Sequence, residues 1–561
     1  MFPELEELIQ REMERAKIPG LAIALIKGSE IVWSKGYGYA DLANEVPVTP
    51  QTAFRVASVT KPVVATALMQ WYERGRFKLD DPVNDHLAPV RLQSGCEGAG
   101  PITIRHLFTH TSGLPVQTDA APTEPSGLPT LEEFVATRLK AVRPPGEEIV
   151  YANGGYATLG YLVGRFAGKP YDVALREQVL EPLAMRSSGI GRPPEGTHVA
   201  TGYFRSVLDG QHHAIPHYYL DCRPDTPAGG LFSTVEDLAR FLIAHVNGGV
   251  YDGCRLLQEE SVAQMHKLHV PAGPSQSGMG LGFMVDSFYG RRRIRHSGNY
   301  PGWSAFISAY PEERLGVAAL ANMTGATAAQ GLIPNTALRL LAEDYSEHGL
   351  KALRHEPAPE EWNRVTGRYL WQDSDATLAI EDGVLALDVE GEKSSLEPLS
   401  NGLFRAHDGM FDGSEVTFEY GEDGKAARFY VVIWRADRQG DVVPAVELVA
   451  GEKVDIAGRW SGTCASPLGS LPVALEIGAD GAKVSVFSAQ NAAVEEFRAG
   501  DGGISGHFEL VVPGFGDFRV FLRLAVGDGA LRGRVYARGA LGEFPMRVEF
   551  TRVEGAVWKA T

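Results

Sequence analysis

A chain of 561 residues with 44% hydrophobic and 22% charged side chains has the composition of several packed globular domains, which excludes a disordered chain and a membrane-embedded one. Its formal charge of −17 repels polyanions at long range, and the densest basic run, Arg291-Arg292-Arg293, is too short to offset it. Neither nucleic acid nor an anionic membrane surface is therefore an expected partner. The four cysteines, Cys96, Cys222, Cys254 and Cys464, are scattered without metal-ligand spacing, and free thiols are the expectation.

Met1 to Lys17 places Leu5, Leu8, Ile9 and Met13 on one helical face with charges between them. This pattern predicts an amphipathic surface helix and not a signal peptide. No stretch approaches the roughly 18 apolar residues that a membrane span takes, and a cytoplasmic protein is expected. Leu21–Ile26 and Ile31–Tyr37 predict paired strands, and Val63–Glu73 a helix with Val64, Leu68 and Trp71 inward.

Ser58-Val59-Thr60-Lys61 stands where that helix begins. Residues three apart share a helix face, so the Ser58 hydroxyl and the Lys61 amine can meet. A serine needs a nearby base to act as a nucleophile, and a lysine of ordinary pKa near ~10.4 must lose its proton to serve. The helix N-terminus supplies N–H groups and a positive dipole end that suit an oxyanion. Taken alone, the pair reads equally as an N-cap serine and a solvated lysine.

Further along, His106 and His110 lack an acid partner and read as structural. Tyr151-Ala152-Asn153 follows the turn Pro144-Pro145-Gly146; in isolation it would be a core tyrosine and a turn asparagine. His212, His213, His217 and Cys222 form a loose cluster whose irregular spacing argues against a metal site. Gly278, Gly280 and Gly282, with no phosphate-binding helix signature after them, predict a turn before a strand. His296-Ser297-Gly298 follows a strand-like Arg293–Arg295.

Past the Pro-bearing segment His355–Trp362, read as a linker, the text becomes strand and turn. Apolar alternation around Asp382-Gly383 and Asp480-Gly481 predicts hairpins. Gly367-Arg368-Tyr369 and Gly458-Arg459-Trp460 open two blocks alike, which predicts two β-rich domains of related build meeting near Val454. The expected domains are residues 1–350, 362–453 and 455–561.

In order and spacing, the Ser58–Lys61, Tyr151–Asn153 and His296–Gly298 elements resemble the three signatures of serine β-lactamases and penicillin-binding proteins. Phe54–Ala57, Ile104–Leu114 and Ala228–Thr234 resemble the branch that holds esterases, D-aminopeptidases and class C β-lactamases. The resemblance runs from Phe2 to Tyr345 and implies an α+β fold: an antiparallel sheet flanked by helices, with an all-helical subdomain. Two β-rich domains after it are most similar to the three-domain bacterial D-aminopeptidases, which implies two antiparallel β-barrels, the last lipocalin-like.

Carried over by residue, the resemblance implies Ser58 as nucleophile, Lys61 and Tyr151 sharing proton transfer, and Asn153 bonding the acyl side of the substrate. Gly298 belongs to the third signature, and the N–H groups of Asn299 and Ser58 are the implied oxyanion hole. His296 stands where many relatives have lysine, which weakens carboxylate recognition of the β-lactam type. The resemblance also implies a loop of the last barrel that narrows the cleft, here Pro513–Asp517, with Asp517 toward a substrate ammonium. The implied substrate is a small amide, peptide or ester, and the implied chemistry calls for neither metal nor cofactor. An amidase or aminopeptidase for N-terminal D-amino acids, a carboxylesterase and an acylated sensor without turnover all fit. Oligomeric state stays open, a homo-oligomer among the alternatives.

Overall fold

The computed structural model describes residues 2–115, 129–206, 209–215, 226–342, 362–440 and 458–552, apart from short turns within the last two ranges. The linker and the boundary near Val454 lie outside these residues, as do His217 and Cys222. Cys96 and Cys254 are free thiols.

The first element is α1 (Pro3–Ala16), which closes on Lys17 in the left-handed region at φ 55°. Leu5, Leu8 and Ile9 are buried, as their spacing predicts. Strands β1 (Gly20–Lys27) and β2 (Glu30–Asp41) pair antiparallel with Leu21 opposite Tyr37. There follow helices α2 (Thr60–Glu73), α3 (Asn153–Ala167) and α4 (Val235–Val246). Three more strands, β3 (Arg291–Tyr300), β4 (Trp303–Tyr310) and β5 (Leu315–Ala321), precede α5 (Leu332–Leu341).

The first and last of these strands meet inside the sheet: part of its order is β3-β4-β5-β1-β2, so β1 pairs with β5. Every residue from Leu21 to Ile26 is fully buried, because α1 and α5 cover one face while α4 packs on the other. Strands buried on both faces read as continuous apolar runs instead of alternating ones. Helices α2 and α3 pack together beside the sheet and form the helical part of the fold.

Two closed eight-stranded antiparallel barrels follow. The first runs from Gly367–Trp371 to its last hairpin, β6 (Ala426–Val431) and β7 (Trp434–Gly440), and closes with Tyr369 opposite Arg438. Its Asp382-Gly383 turn joins Glu381 to Val384 with both φ angles positive, 50° and 80°, the backbone that two-residue hairpins take. The second barrel runs from Gly458–Ser466 to Gly542–Arg552 and closes with Trp460 opposite Arg552. The shared Gly-Arg-aromatic openings have one role: Tyr369 and Trp460 each enter the interior of their barrel's first strand.

By compactness the chain divides into two units, and the first barrel belongs with the sheet and helices while the second barrel belongs to the other. Within the first unit the joint is polar at its centre. Buried Arg293 on β3 donates to both oxygens of Asp286 at 2.8 and 2.6 Å and to Asn335 Oδ1 of α5 at 2.9 Å. The Asn335 amide donates in turn to the barrel carbonyl of Asp412 at 2.8 Å. Next to it Gly413, at φ 74°, lies so close to Phe288 that a Cβ would sit 1.8 Å from the ring.

Candidate active site

Ser58 lies in a short 3-10 turn, Ala57–Val59, that runs directly into α2. The helix begins at Thr60, before the Val63 expected from apolar spacing, because the Thr60 hydroxyl supplies local bonds that periodicity does not register. It donates to the Ala57 carbonyl at 2.7 Å and accepts from the Leu231 N–H at 3.0 Å. Ala57 itself sits at φ 46°, a backbone that residues with a Cβ seldom adopt outside functional turns.

Lys61 is fully buried one turn later. Its Nζ lies 2.9 Å from Ser58 Oγ, 2.9 Å from Asn153 Oδ1 and 2.7 Å from the Ala228 carbonyl oxygen, three oxygens placed to receive an ammonium. It also lies 4.8 Å from the centre of the Tyr151 ring. Tyr151 and Asn153 flank the start of α3, whose N-cap is Ala152. The Tyr151 hydroxyl hydrogen-bonds Ser58; burial pushes the phenol up and outweighs that bond, so it stays protonated.

His110 stacks on Tyr151 with ring centres 4.2 Å apart. Its Nδ1 accepts the Ala152 N–H at 3.0 Å, which puts the ring proton on Nε2. Burial, with Lys61 nearby, holds this imidazole well below its usual range and therefore neutral. His110 reads as structural from the sequence, and its partners here, an aromatic face and a backbone N–H, leave no motif that would place it beside Tyr151. Ala228 escaped notice for the same reason, because it acts through its carbonyl.

His296 is fully buried on β3, its ring centre 6.3 Å from that of Tyr151. Nδ1 donates to the Ser297 carbonyl at 2.7 Å, leaving Nε2 as a bare acceptor with no partner among the described residues. Burial, and then Lys61, lower this imidazole to about 3, so at neutral pH the position carries no charge. Gly298 brings β3 against the nucleophile turn: a Cβ there would fall 2.1 Å from the Val56 carbonyl oxygen and 3.0 Å from Ser58 N. Asn299 is the next residue, exposed, and its side-chain oxygen accepts from Ser304 Oγ at 3.3 Å.

The structure thus brings together Ser58, Lys61, Tyr151, Asn153, His296 and Gly298. Asp517 lies in the other unit, in the strand Gly516–Gly527 with its backbone opposite Val511; residues 513–515 lie outside the described residues. His106 serves as a helix cap, its Nδ1 accepting the Thr103 N–H at 3.2 Å. Of the loose histidine cluster, His213 pairs with Asp209 at 2.9 Å.

A serine hydroxyl held between an amine and a phenol, at the mouth of a helix, is a constellation for acyl transfer. The chain belongs to the Beta-lactamase family, whose model matches residues 5–340. Among curated proteins, Protein flp of Staphylococcus aureus (strain COL) is 26% identical over 327 residues, 57% of this chain and 63% of that protein. The putative penicillin-binding protein PbpX of Bacillus subtilis (strain 168) is 27% identical over 259 residues, 46% of this chain and 60% of PbpX. The chain thus spans less than two thirds of the length of these relatives. The octameric penicillin-binding protein homologue from Pyrococcus abyssi superposes with a TM-score of 0.53 and 26% identity, over 77% of this chain and 99% of that one. Among the described residues no helix is long and apolar enough to cross a membrane.

Proposed function

We propose that the protein hydrolyses small amides, peptides or esters through an acyl-enzyme on Ser58, and that its preferred substrates are amides or short peptides with a free N-terminal D-amino acid. The observation that carries the reading is the placement of Ser58 Oγ 2.9 Å from Lys61 Nζ, with the Tyr151 hydroxyl bonded on the same serine. Ser58 Oγ attacks the carbonyl carbon, and its proton passes to an unprotonated Lys61, because burial keeps Tyr151 in its phenol form. The ammonium so formed is matched by Ser58 Oγ, Asn153 Oδ1 and the Ala228 carbonyl. Tyr151 then relays a proton to the leaving group, and water returns the acyl group to solution by the reverse path. The Ser58 and Asn299 N–H groups hold the oxyanion, and Asn153 bonds the acyl side.

Neutral His296 supports an amine-bearing substrate over a carboxylate-bearing one, since the position offers a carboxylate no fixed cation. The same serine, lysine and tyrosine also serve esters, so a carboxylesterase is the second reading. Ser58→Ala is expected to keep the fold and lose at least ~10³-fold of turnover on D-alanine anilide, L-alanine anilide and a short p-nitrophenyl ester, measured in parallel. Preference for the D-anilide supports the aminopeptidase and preference for the ester the esterase. Covalent labelling of Ser58 without release of any product would mark a sensor and overturn the hydrolase reading.

A further inference from the structure

The last hairpin of the first barrel reaches the Ser58 site. Val431 pairs with Trp434, so Val432 and Ile433 alone make the turn. Two-residue hairpin tips are ordinarily polar, solvated and built with glycine or asparagine at positive φ. Here the tip is aliphatic and buried, 1% and 4% exposed, and β-branched Val432 sits at φ 59°. A conformation that the residue type resists persists only where the surroundings enforce it, and the tip belongs to an apolar cluster in which the barrel interior is joined by Met279, Met284, Ile149 and Tyr151 of the β-lactamase-like region.

What the hairpin delivers is Trp434. Its ring centre lies 5.5 Å from that of Tyr151, and Trp371 of the same barrel braces it edge-on at 6.5 Å. The next residue, Arg435, pairs with Glu148 at 2.8 Å, three residues before Tyr151. The indole, Tyr151 and Ile149 are each only partly buried. A half-open corner of aromatic and aliphatic surface therefore adjoins the tyrosine that bonds the nucleophile, and nothing about barrel closure requires it.

We propose that Trp434 is a specificity-determining residue, its indole forming with Tyr151 and Ile149 an apolar subsite that takes an aromatic or bulky aliphatic side chain of the substrate. The inference rests on Ser58 being the nucleophile. An indole face offers a planar substituent a large contact area at little entropic cost, and a difference of ~10-fold or more in rate between fitting and non-fitting groups is what an apolar pocket of this kind provides.

The test compares the rates at which a benzyl-bearing and a methyl-bearing fluorophosphonate label Ser58, followed by mass spectrometry on the full chain. The wild-type protein is expected to favour the benzyl probe. Trp434→Ala is expected to lower the benzyl-to-methyl ratio about tenfold, and Trp434→Phe to keep most of it, with melting temperatures recorded for both. A ratio unchanged in folded Trp434→Ala, or one that rises, overturns the subsite. If Trp434→Ala does not fold, Trp434→Phe and the wild type still decide: no benzyl preference in the wild type refutes the proposal. Absence of labelling by either probe in the wild type would instead strike at Ser58 itself.

Discussion

The two barrels share strand number, closure and an inward aromatic on the opening strand, yet their hairpins end differently. In the second barrel, the glycine pairs Gly478–Gly481, Gly500–Gly503 and Gly539–Gly542 close three of the hairpins, with no side chain at the closing pair to pack against anything. The last hairpin of the first barrel ends instead on Val432 and Ile433. A barrel wall asks only for alternation, whereas a tip records what surrounds it. Val432 and Ile433 are buried in an apolar cluster that also takes in Met279, Met284, Ile149 and Tyr151, and the strain at Val432 is tolerated within that packing.

The comparison can be pressed by removing one partner. Ending the chain at Gly440 deletes the second barrel and spares every residue of the Ser58 site. We expect turnover to fall several-fold and acyl tolerance to widen, the outcome that a resemblance to the D-aminopeptidases implies. Rates on small and bulky p-nitrophenyl esters decide it, and unchanged tolerance would assign selectivity to the first barrel alone.

Acid presses on the first unit by a different route. His296 and His245 are each lowered to about 3 by burial, and His245 lies in a buried chain between Thr66 Oγ1 at 3.0 Å and His266 Nε2 at 3.1 Å. Unfolded imidazoles take up protons below their ordinary pKa near 6.5 while these folded ones do not, so their contribution is complete above that value. It is lost as pH falls from about 6.5 toward 3, at about 1.4 kcal/mol per pH unit for each group. Chemical denaturation of the chain ended at Gly440 should therefore show stability falling across this window, and a flat profile would refute the neutral assignment.

The smallest effects come from two glycines of the first barrel at nearly equal φ. Gly413→Ala drives a methyl into the Phe288 ring and is expected to cost about 2–4 kcal/mol. Gly424, at φ 73° with nothing within 4 Å, should cost only the backbone penalty, about 1 kcal/mol. Equal melting temperatures for the two variants would mean that the barrel does not press on the sheet.

Much of this was legible in the sequence. The Ser58–Lys61 spacing, the strand Leu21–Ile26 and the Asp382-Gly383 hairpin follow from local chemistry, whereas Tyr151 and Asn153 were legible only through the resemblance to the serine β-lactamases. The Trp434 hairpin did not show, because Phe429–Trp434 carries no turn residue and reads as one unbroken strand. His110 and Ala228 were hidden as well, since a stacked ring and a backbone carbonyl carry no residue-type signal. Tertiary contacts made these features, and periodicity holds no record of them.

Arg293 lies three residues before His296 on β3, and its guanidinium is tied through Asn335 to the Asp412 carbonyl. Severing the chain before the first barrel would leave the Asn335 amide without that acceptor and uncover Phe288, on the strand next to the one that bears His296. The first barrel is then no appendage that evolution could add or shed by recombination at a linker. Sheet, helices and first barrel pack as one unit that ends at Gly440, and fusions or transplants should be cut after that glycine.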